Sequence, residues 1–489
     1  MNGYFALKET GSPGVLPELD VCRRAREKRD ARFDGRFFVG VLTTGIYCRV
    51  ICPARMAKEA NVHYYPSAAA AQGAGLRPCR RCRPEAAPRL PEWVISSDTM
   101  VRALRYIEAG YLNEQGVSEL ASELGVGDRQ LSQLFQAELA ATADAIAELY
   151  RARFARELLE STKLNYQDVA FHSGFGGVDH CDSALRGIYQ KSAKEIHANA
   201  PLDAGATVTI PMPVRGPYNH DWIFTFLKRR AINRLEAVSG HSGNWCFTRT
   251  LRCGAKVKVR QTASGLTADL PLTDEPLYSL LNRVRRVFDL NTDGDVLHEH
   301  LRSDSLLGDW VERVPGLRVP GAWGGYELSV RAVLGQQVSV ERGTDLANKI
   351  VTLYGKGCFP APQTLKEQDI AEIGMPGQRG RAIAELARQI AEGELKVDEC
   401  QNYESAQAKL QSIAGIGPWT ANYIRMRILR DPDAFPDNDW VVLKTLQTTP
   451  AGARKRADVW RPWRSYGLMY LWYASATIRA QNTRARRIT

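Results

Sequence analysis

Four cysteines in two close pairs constrain the start of this chain more than any other feature. They read Cys48-x3-Cys52 and, after 26 intervening residues, Cys79-x2-Cys82. Two close pairs separated by a loop match the tetrahedral thiolate set of one zinc ion. In an arbitrary chain the plain expectation is a purely structural zinc site. The other six cysteines (Cys22, Cys181, Cys246, Cys253, Cys358, Cys400) are scattered and read as ordinary core or surface thiols.

Charge points to a polyanion. The 489 residues carry a formal +11, and most of that surplus sits in residues 1–90, with sixteen Lys and Arg against eight Asp and Glu. An apolar fraction of 44% supports several cores, and the length predicts three or four domains. No apolar run reaches membrane length, and Met1-Asn2-Gly3-Tyr4 does not open a signal peptide. The expectation is a cytoplasmic protein with reduced thiols.

Along the chain, a hydrophobic strand Phe37–Val41 leads to the first cysteine pair. Pro84–Pro91 reads as a linker. Helical spacing then covers Met100–Ala109, a short helix Val117–Gly125 ended by glycine, and a helix Arg129–Ala137 with Asp128 as its N-cap. Helix, glycine turn, helix is the helix-turn-helix pattern. A long helix Ala143–Leu159 connects to a second copy, Tyr166–Gly174 and Asp179–Tyr189, around Phe175-Gly176-Gly177. Ala198–Thr207 reads as another linker. Strands follow at Thr207–Ile210, Trp245–Thr248, Lys256–Val259 and Leu266–Leu270, interleaved with helices Trp222–Asn233 and Pro276–Asp289. This predicts an antiparallel sheet with helices on one face. The remainder reads as helices: Asp295–Arg313, Tyr326–Gln337, Val340–Tyr354, Thr364–Ile373, Gly380–Glu392, Tyr403–Ser412, Val441–Leu446, Ala453–Arg461 and Tyr466–Arg479, with a frayed basic tail Thr483–Arg487.

Within that run, Ile413-Ala414-Gly415-Ile416-Gly417-Pro418-Trp419-Thr420-Ala421-Asn422-Tyr423 is a Gly-x-Gly turn entering a helix with proline at N1. Such a turn leaves backbone N–H groups free for a phosphate. About twenty residues on lies Asp437-Asn438-Asp439-Trp440. On spacing alone, a common helix start and a surface acid pair would be the plainer reading.

These residues, with Pro462–Tyr466 and Leu471–Tyr473, resemble the helix-hairpin-helix DNA glycosylases of the AlkA (3-methyladenine) type. The resemblance implies Asp439 as the catalytic carboxylate, with Asp437 as fallback. It implies a base pocket of Trp419, Tyr423, Trp440, Trp472 and Phe226, and DNA contacts from Gly415 and Gly417. Arg331–Val340 is a further signature and places Gln337 as the side chain pushed into the duplex. The lysine nucleophile of strand-cutting relatives is replaced by Trp419, which cannot form a Schiff base, so no β-lyase step is expected. A cation on the hairpin carbonyls near Ile413–Ile416 is implied by resemblance alone.

Thr43–Pro53 and Arg77–Pro84 resemble the methyl-acceptor domain of Ada proteins. That implies one Zn²⁺ on Cys48, Cys52, Cys79 and Cys82, and irreversible transfer of a methyl group from a DNA methylphosphotriester to Cys48. Zinc keeps thiolate at neutral pH. Methylation would take the cluster from −2 to −1, and two unit charges near 4 Å interact by about 4 kcal/mol at an effective dielectric near 20. Arg49, Arg80, Arg81 and Arg83 are phosphate candidates or plain solvated charges. The paired helix-turn-helix units resemble the AraC-type module of the same proteins, with Arg129, Gln130, Gln133, His180 and Arg186 as readers. Ala140, Ala143, Cys181 and Leu185 depart from that family's pattern. No Pro-Cys-His-Arg motif of a second methyl acceptor is present.

The fold expected is therefore multidomain α+β: a zinc-bound α/β domain (1–90), an all-α double helix-turn-helix module (91–200), an antiparallel-sheet α+β domain (206–290) and an all-α helix-hairpin-helix glycosylase domain (291–489). The resemblances imply double-stranded DNA, alkylated and promoter, as partner, RNA polymerase as a further one, no membrane, and a monomer. A transcription regulator whose glycosylase-like half only binds DNA is the competing reading, and a zinc domain used only for docking is a third.

Overall fold

The computed structural model describes residues 16–84, 97–197, 207–263, 265–398 and 402–488. Both expected linkers fall largely outside these ranges, and Cys400 falls wholly outside them. Two compact units emerge, Met1–Val208 with Leu272–Asn282, and Thr209–Pro271 with Arg283–Thr489. Among the described residues no helix is long and apolar enough to cross a membrane.

The first unit opens with a helix, Leu19–Lys28, and a four-stranded sheet ordered β3-β1-β2-β4, with β1 Phe38–Val41, β2 Ile46–Cys48, β3 Val62–Tyr65 and β4 Arg77–Pro78. One cluster of its core joins Cys22, Ala25, Phe37, Val39, Val50 and Val62, and Phe38, Tyr47 and Leu76 are buried as well. A side chain at Gly40 would meet Leu76 and Tyr65 at 2.5 Å, so any larger residue in the middle of β1 would push these side chains aside. Strands β2 and β4 run parallel, pairing Ile46 with Arg77 and Tyr47 with Pro78. That register sets Cys48 and Cys79 side by side at the strand ends.

Two helix-turn-helix units follow. Val117–Leu124 turns through Gly125, in the left-handed region, into Asp128–Leu139. Tyr166–Ser173 turns through left-handed Gly174 into Val178–Tyr189. The 19-residue helix Ala143–Ser161 joins them. Gly127, not Asp128, is the N-cap of the first second-helix. Asp128 instead opens the helix and accepts a hydrogen bond from the Ser118 hydroxyl at 2.5 Å.

The second unit holds a five-stranded sheet ordered β5-β9-β8-β7-β6: β5 Thr207–Met212, β6 Glu236–Ser239, β7 Cys246–Thr250, β8 Lys256–Thr262 and β9 Gly265–Pro271. Burial alternates along β5, β7 and β9, as a half-buried strand requires. Phe224, Phe247 and Phe288 interlock on the buried face at 5.4–5.6 Å between ring centroids. Strand β6 has no counterpart among the expected strands. The expected helix 222–233 is His220–Lys228, and 295–313 divides into Gly294–Leu301 and Gly308–Arg313. The break is chemical: the Asp304 carboxylate accepts the N–H groups of Leu306 and Leu307, both at 2.9 Å. The expected helix 364–373 is a single turn, Pro362–Leu365, and a 3-10 turn, Ile370–Ile373. The basic tail expected to fray lies within the helix Arg464–Ile488.

A buried ion network clips the sheet to the helix Gly325–Leu334. Arg249 on β7 makes a two-pronged contact with Glu327 at 3.0 and 2.7 Å and reaches Glu236 on β6 at 3.1 Å. Arg331 reaches both acids at 3.3 Å. Burial pushes the Glu327 carboxyl up, but Arg249 and Arg331 outweigh it and hold the group below its ordinary value. Its contribution to stability is therefore complete above the unfolded pKa of about 4.3 and is lost as pH falls through the lower folded value. Arg249→Met should cost this unit about 3–5 kcal/mol, because it leaves buried carboxylates under-compensated. Denaturant unfolding checks the cost, and acid unfolding should begin at higher pH in the variant.

Candidate active site and metal centre

The four thiols Cys48, Cys52, Cys79 and Cys82 bring their sulfurs within 4.8 Å of one another. Cys79 is buried and the other three are half-buried. Four sulfurs this close cannot all ionise without a cation between them, and an all-thiolate tetrahedral set is the zinc pattern. The residues fit one Zn²⁺.

The sulfurs are not equivalent. Cys82 accepts the Arg49 N–H at 3.4 Å, and the backbone of Ala54 donates to Cys52. An N–H···S hydrogen bond draws electron density from sulfur, so Cys52 and Cys82 are damped as nucleophiles by theirs. The Arg49 side chain, a phosphate candidate from sequence, is tied to Asp34 through Nε at 2.8 Å. Arg80, Arg81 and Arg83 are exposed. So are Arg129, Gln130 and Gln133 on one helix, and His180 and Arg186 on the other. Arg186 is paired with Asp182 at 2.6 Å.

In the second unit, Gly415 is left-handed at φ 97° and a side chain there would press on Ala382 at 3.0 Å. Gly417 starts the helix Pro418–Arg427, which has no side-chain cap, so its first-turn N–H groups face outward for an acceptor. Trp419 and Tyr423 lie one turn apart on that helix and stack at 5.2 Å with 13° between planes. Tyr423 continues to Trp472 at 6.4 Å.

Asp439 lies under these rings. It is the N-cap of the helix Trp440–Leu446, accepting the Val442 N–H at 3.0 Å, and is only 6% exposed. The Trp419 indole N–H donates to Oδ2 at 2.8 Å, and the Trp472 indole N–H donates to Oδ1 at 3.2 Å. Neutral donors fix this carboxylate, and it makes no ion pair among the described residues. Its acidic neighbours differ: Asp437 is bound by Arg454 at 2.5 Å, Asp433 by Arg464 at 2.8 Å, and Asp431 by Arg425.

Two further residues expected in the pocket have different surroundings. Trp440 is 61% exposed, with the Lys444 ammonium 4.8 Å from its ring centroid. The helix start at Asp439 turns the next side chain outward. Phe226 is buried, but guanidinium groups of Arg230 and Arg427 lie over its ring at 3.6 and 4.9 Å. Arg427 also lies over the Tyr423 ring at 5.3 Å and donates to its hydroxyl at 2.6 Å. Burial would raise the Tyr423 phenol, yet Arg427, Arg230 and Arg331 bring it below its ordinary value.

Gln337 is exposed and held at φ 55° just beyond the helix Gly325–Leu334. A non-glycine residue pays conformational strain there, of order 1–2 kcal/mol, which is common at functional turns. Its neighbour Gln336 was not a sequence candidate. The Gln336 amide donates to the Gly415 carbonyl and the Thr420 hydroxyl, both at 2.9 Å, tying this turn to the hairpin. The Gln-Gln pair was the available signal, and nothing in it says which member turns inward. Gln336→Ala removes two hydrogen bonds of about 1 kcal/mol each. We expect DNA affinity to fall about tenfold while the single-turnover rate at saturating enzyme changes little; anisotropy and quench assays separate the two.

Comparison with known proteins agrees with this anatomy. Residues 21–85 match the metal binding domain of Ada, 120–199 a helix-turn-helix domain and 209–324 the AlkA N-terminal domain. The chain is 37% identical over 482 residues, 93% of this chain and 96% of the relative, to the "Probable bifunctional transcriptional activator/DNA repair enzyme AlkA" of Mycobacterium tuberculosis H37Rv. It is 33% identical over 275 residues, 53% of this chain and 94% of the relative, to DNA-3-methyladenine glycosylase 2 of Escherichia coli K12. It is 37% identical over 131 residues, 27% of this chain and 36% of the relative, to the bifunctional activator Ada of the same organism. With a zinc-binding four-cysteine centre, a double helix-turn-helix and a buried carboxylate held by the indole of Trp419 in one polypeptide, the chain belongs to the family of bifunctional transcriptional activator/DNA repair AlkA proteins.

Proposed function

We propose that the second unit removes alkylated purines of the 3-methyladenine type from DNA by hydrolysing the N-glycosidic bond, and that the first unit records DNA methylation and activates transcription. The observation that carries the repair half is Asp439: a buried carboxylate fixed by two indoles and one amide, with no cation on it. Its negative charge is available to the sugar.

Alkylation at N3 or N7 makes the purine cationic and a good leaving group. Gln337 fills the duplex as the nucleotide is extruded, at a cost of a few kcal/mol that is lower for a damaged pair. The faces of Trp419, Tyr423 and Trp472 receive the cationic base. The C1′–N bond breaks with its electron pair going to the base, and Asp439 stabilises the oxocarbenium-like sugar and guides water to C1′. The product is an abasic site in an intact strand, since Trp419 offers no amine.

In the first unit, Cys48, Cys52, Cys79 and Cys82 would hold zinc, whose charge would keep the Cys48 sulfur a thiolate. That sulfur attacks the methyl carbon of a methylphosphotriester. The C–O bond breaks, S–CH₃ forms, and the phosphate leaves as a diester anion. The helix-turn-helix faces bearing Arg129 and Gln133 then hold promoter DNA and RNA polymerase is recruited, by a monomer in the cytoplasm. One experiment tests both halves. Methylated duplex incubated with the full chain should release methylpurine, with strands intact until alkali, and Cys48 alone should gain one methyl by mass spectrometry. No released base removes the repair half; a methyl on another cysteine, or none, removes the sensing half.

A further inference from the structure

Within the first unit, a cleft of about 410 Å³ opens beside the metal centre, lined by Arg77, Arg80, Arg83, Arg156, Lys191 and Glu160, with Tyr189 in its wall. Its cations come from separate parts of the chain. Arg77 belongs to β4, and Arg80 and Arg83 to the loop of Cys79 and Cys82. Arg156 belongs to the helix Ala143–Ser161, and Lys191 follows the end of the helix Val178–Tyr189.

Among the described residues one carboxylate lines the cleft. Glu160 accepts from Arg83 Nη2 at 2.6 Å and from Arg156 Nε at 2.8 Å. The Arg156 guanidinium also lies 4.7 Å from the Tyr189 ring centroid. Arg77, Arg80 and Lys191 make no ion pair among the described residues. Like charges gathered around one cavity repel one another, which favours an anion there. Guanidinium groups converging on two oxygens match a phosphodiester as well as a carboxylate. The cleft also joins the metal-centre loop to the end of the second recognition helix, so a duplex touching both would carry its backbone past this point.

We propose that the cleft seats a DNA backbone phosphate and that Glu160 occupies the seat in the free protein, standing in for that phosphate. On binding, Arg83 and Arg156 exchange the carboxylate for phosphate oxygens. The inference rests on the reading that this unit binds DNA, and it goes further by naming the site and its internal competitor.

The test uses the full chain and a short undamaged duplex, followed by anisotropy between about 50 and about 200 mM salt. Glu160→Gln should tighten binding about 3- to 10-fold and steepen the dependence of log K on log salt by about one. Lys191→Glu should weaken binding and flatten the slope. Duplex should protect Lys191 from acetylation, and more strongly in Glu160→Gln than in the parent chain. Unchanged affinity and slope in Glu160→Gln, with no protection of Lys191, would make the Arg83–Glu160–Arg156 contact a structural ion pair and overturn the proposal. Displacement of duplex from Glu160→Gln by inorganic phosphate, beyond that by chloride at equal ionic strength, would reassign the cleft to a free anion. Failure of the parent chain to bind duplex at all would instead remove the underlying DNA reading.

Discussion

Asp439→Asn should abolish base release, slowing it by at least about 10³-fold, while binding of damaged DNA persists. The substitution keeps the side chain's size and its oxygen for the Val442 N–H, so the cap survives. What it removes is charge. A carboxylate about 4 Å from a sugar cation contributes about 4 kcal/mol at an effective dielectric near 20, which is close to 10³ in rate. The amide adds a second fault. Trp419 and Trp472 point N–H donors at both oxygens of Asp439, and an asparagine NH₂ must face one of them. Binding should persist because the hairpin, Gln337 and the rings are untouched. Single-turnover release of methylpurine, with anisotropy on the same duplex, measures both; release within tenfold of the parent chain would remove Asp439 from the chemistry.

Removing zinc is expected to unfold the four-stranded module of the first unit while the second unit keeps its structure. The buried apolar side chains of this module are few and mostly small among the described residues: one cluster holds Cys22, Ala25, Phe37, Val39, Val50 and Val62, and Phe38, Tyr47, Leu76 and the alanines 68–71 are the chief others. That is too little to offset the conformational entropy of about seventy ordered residues. Structural zinc at such sites supplies roughly 10–16 kcal/mol at neutral pH. Four thiolates crowded within 4.8 Å also repel once the ion leaves. Hydrogen exchange on the full chain with a chelator should show loss of protection in 38–65, with 403–446 unchanged. Cys52→Ser, which leaves three sulfurs, should do the same at neutral pH. Protection that survives chelation would show a module held by its apolar core.

Several parts of this anatomy were legible in the residues because the constraint was local. The cysteine spacing reports the metal centre. The helix Val340–Tyr354 shows its ends through Ser339, whose hydroxyl caps it. Trp419 and Tyr423 stack because they are four apart on a helix. Other parts rest on partners distant in sequence. Glu236, on a short strand without an apolar alternation, makes sense only beside Arg249 and Arg331. Asp437 and Asp439 look alike in sequence; only the approach of Arg454 to one and of two indoles to the other distinguishes them. Trp440 fits an aromatic cage by proximity, and nothing in its sequence position tells that it is 61% exposed. The guanidinium layer over Phe226 and Tyr423 joins residues about two hundred positions apart and has no sequence periodicity.

The account turns on an unpaired negative charge facing a positively charged sugar. A duplex with a protonated pyrrolidine in place of one deoxyribose carries that charge, and the same duplex with tetrahydrofuran does not. The parent chain should bind the pyrrolidine duplex at least about 100-fold more tightly, and Asp439→Asn should erase the preference. Equal affinity for the two duplexes, or a preference that survives in Asp439→Asn, would contradict it.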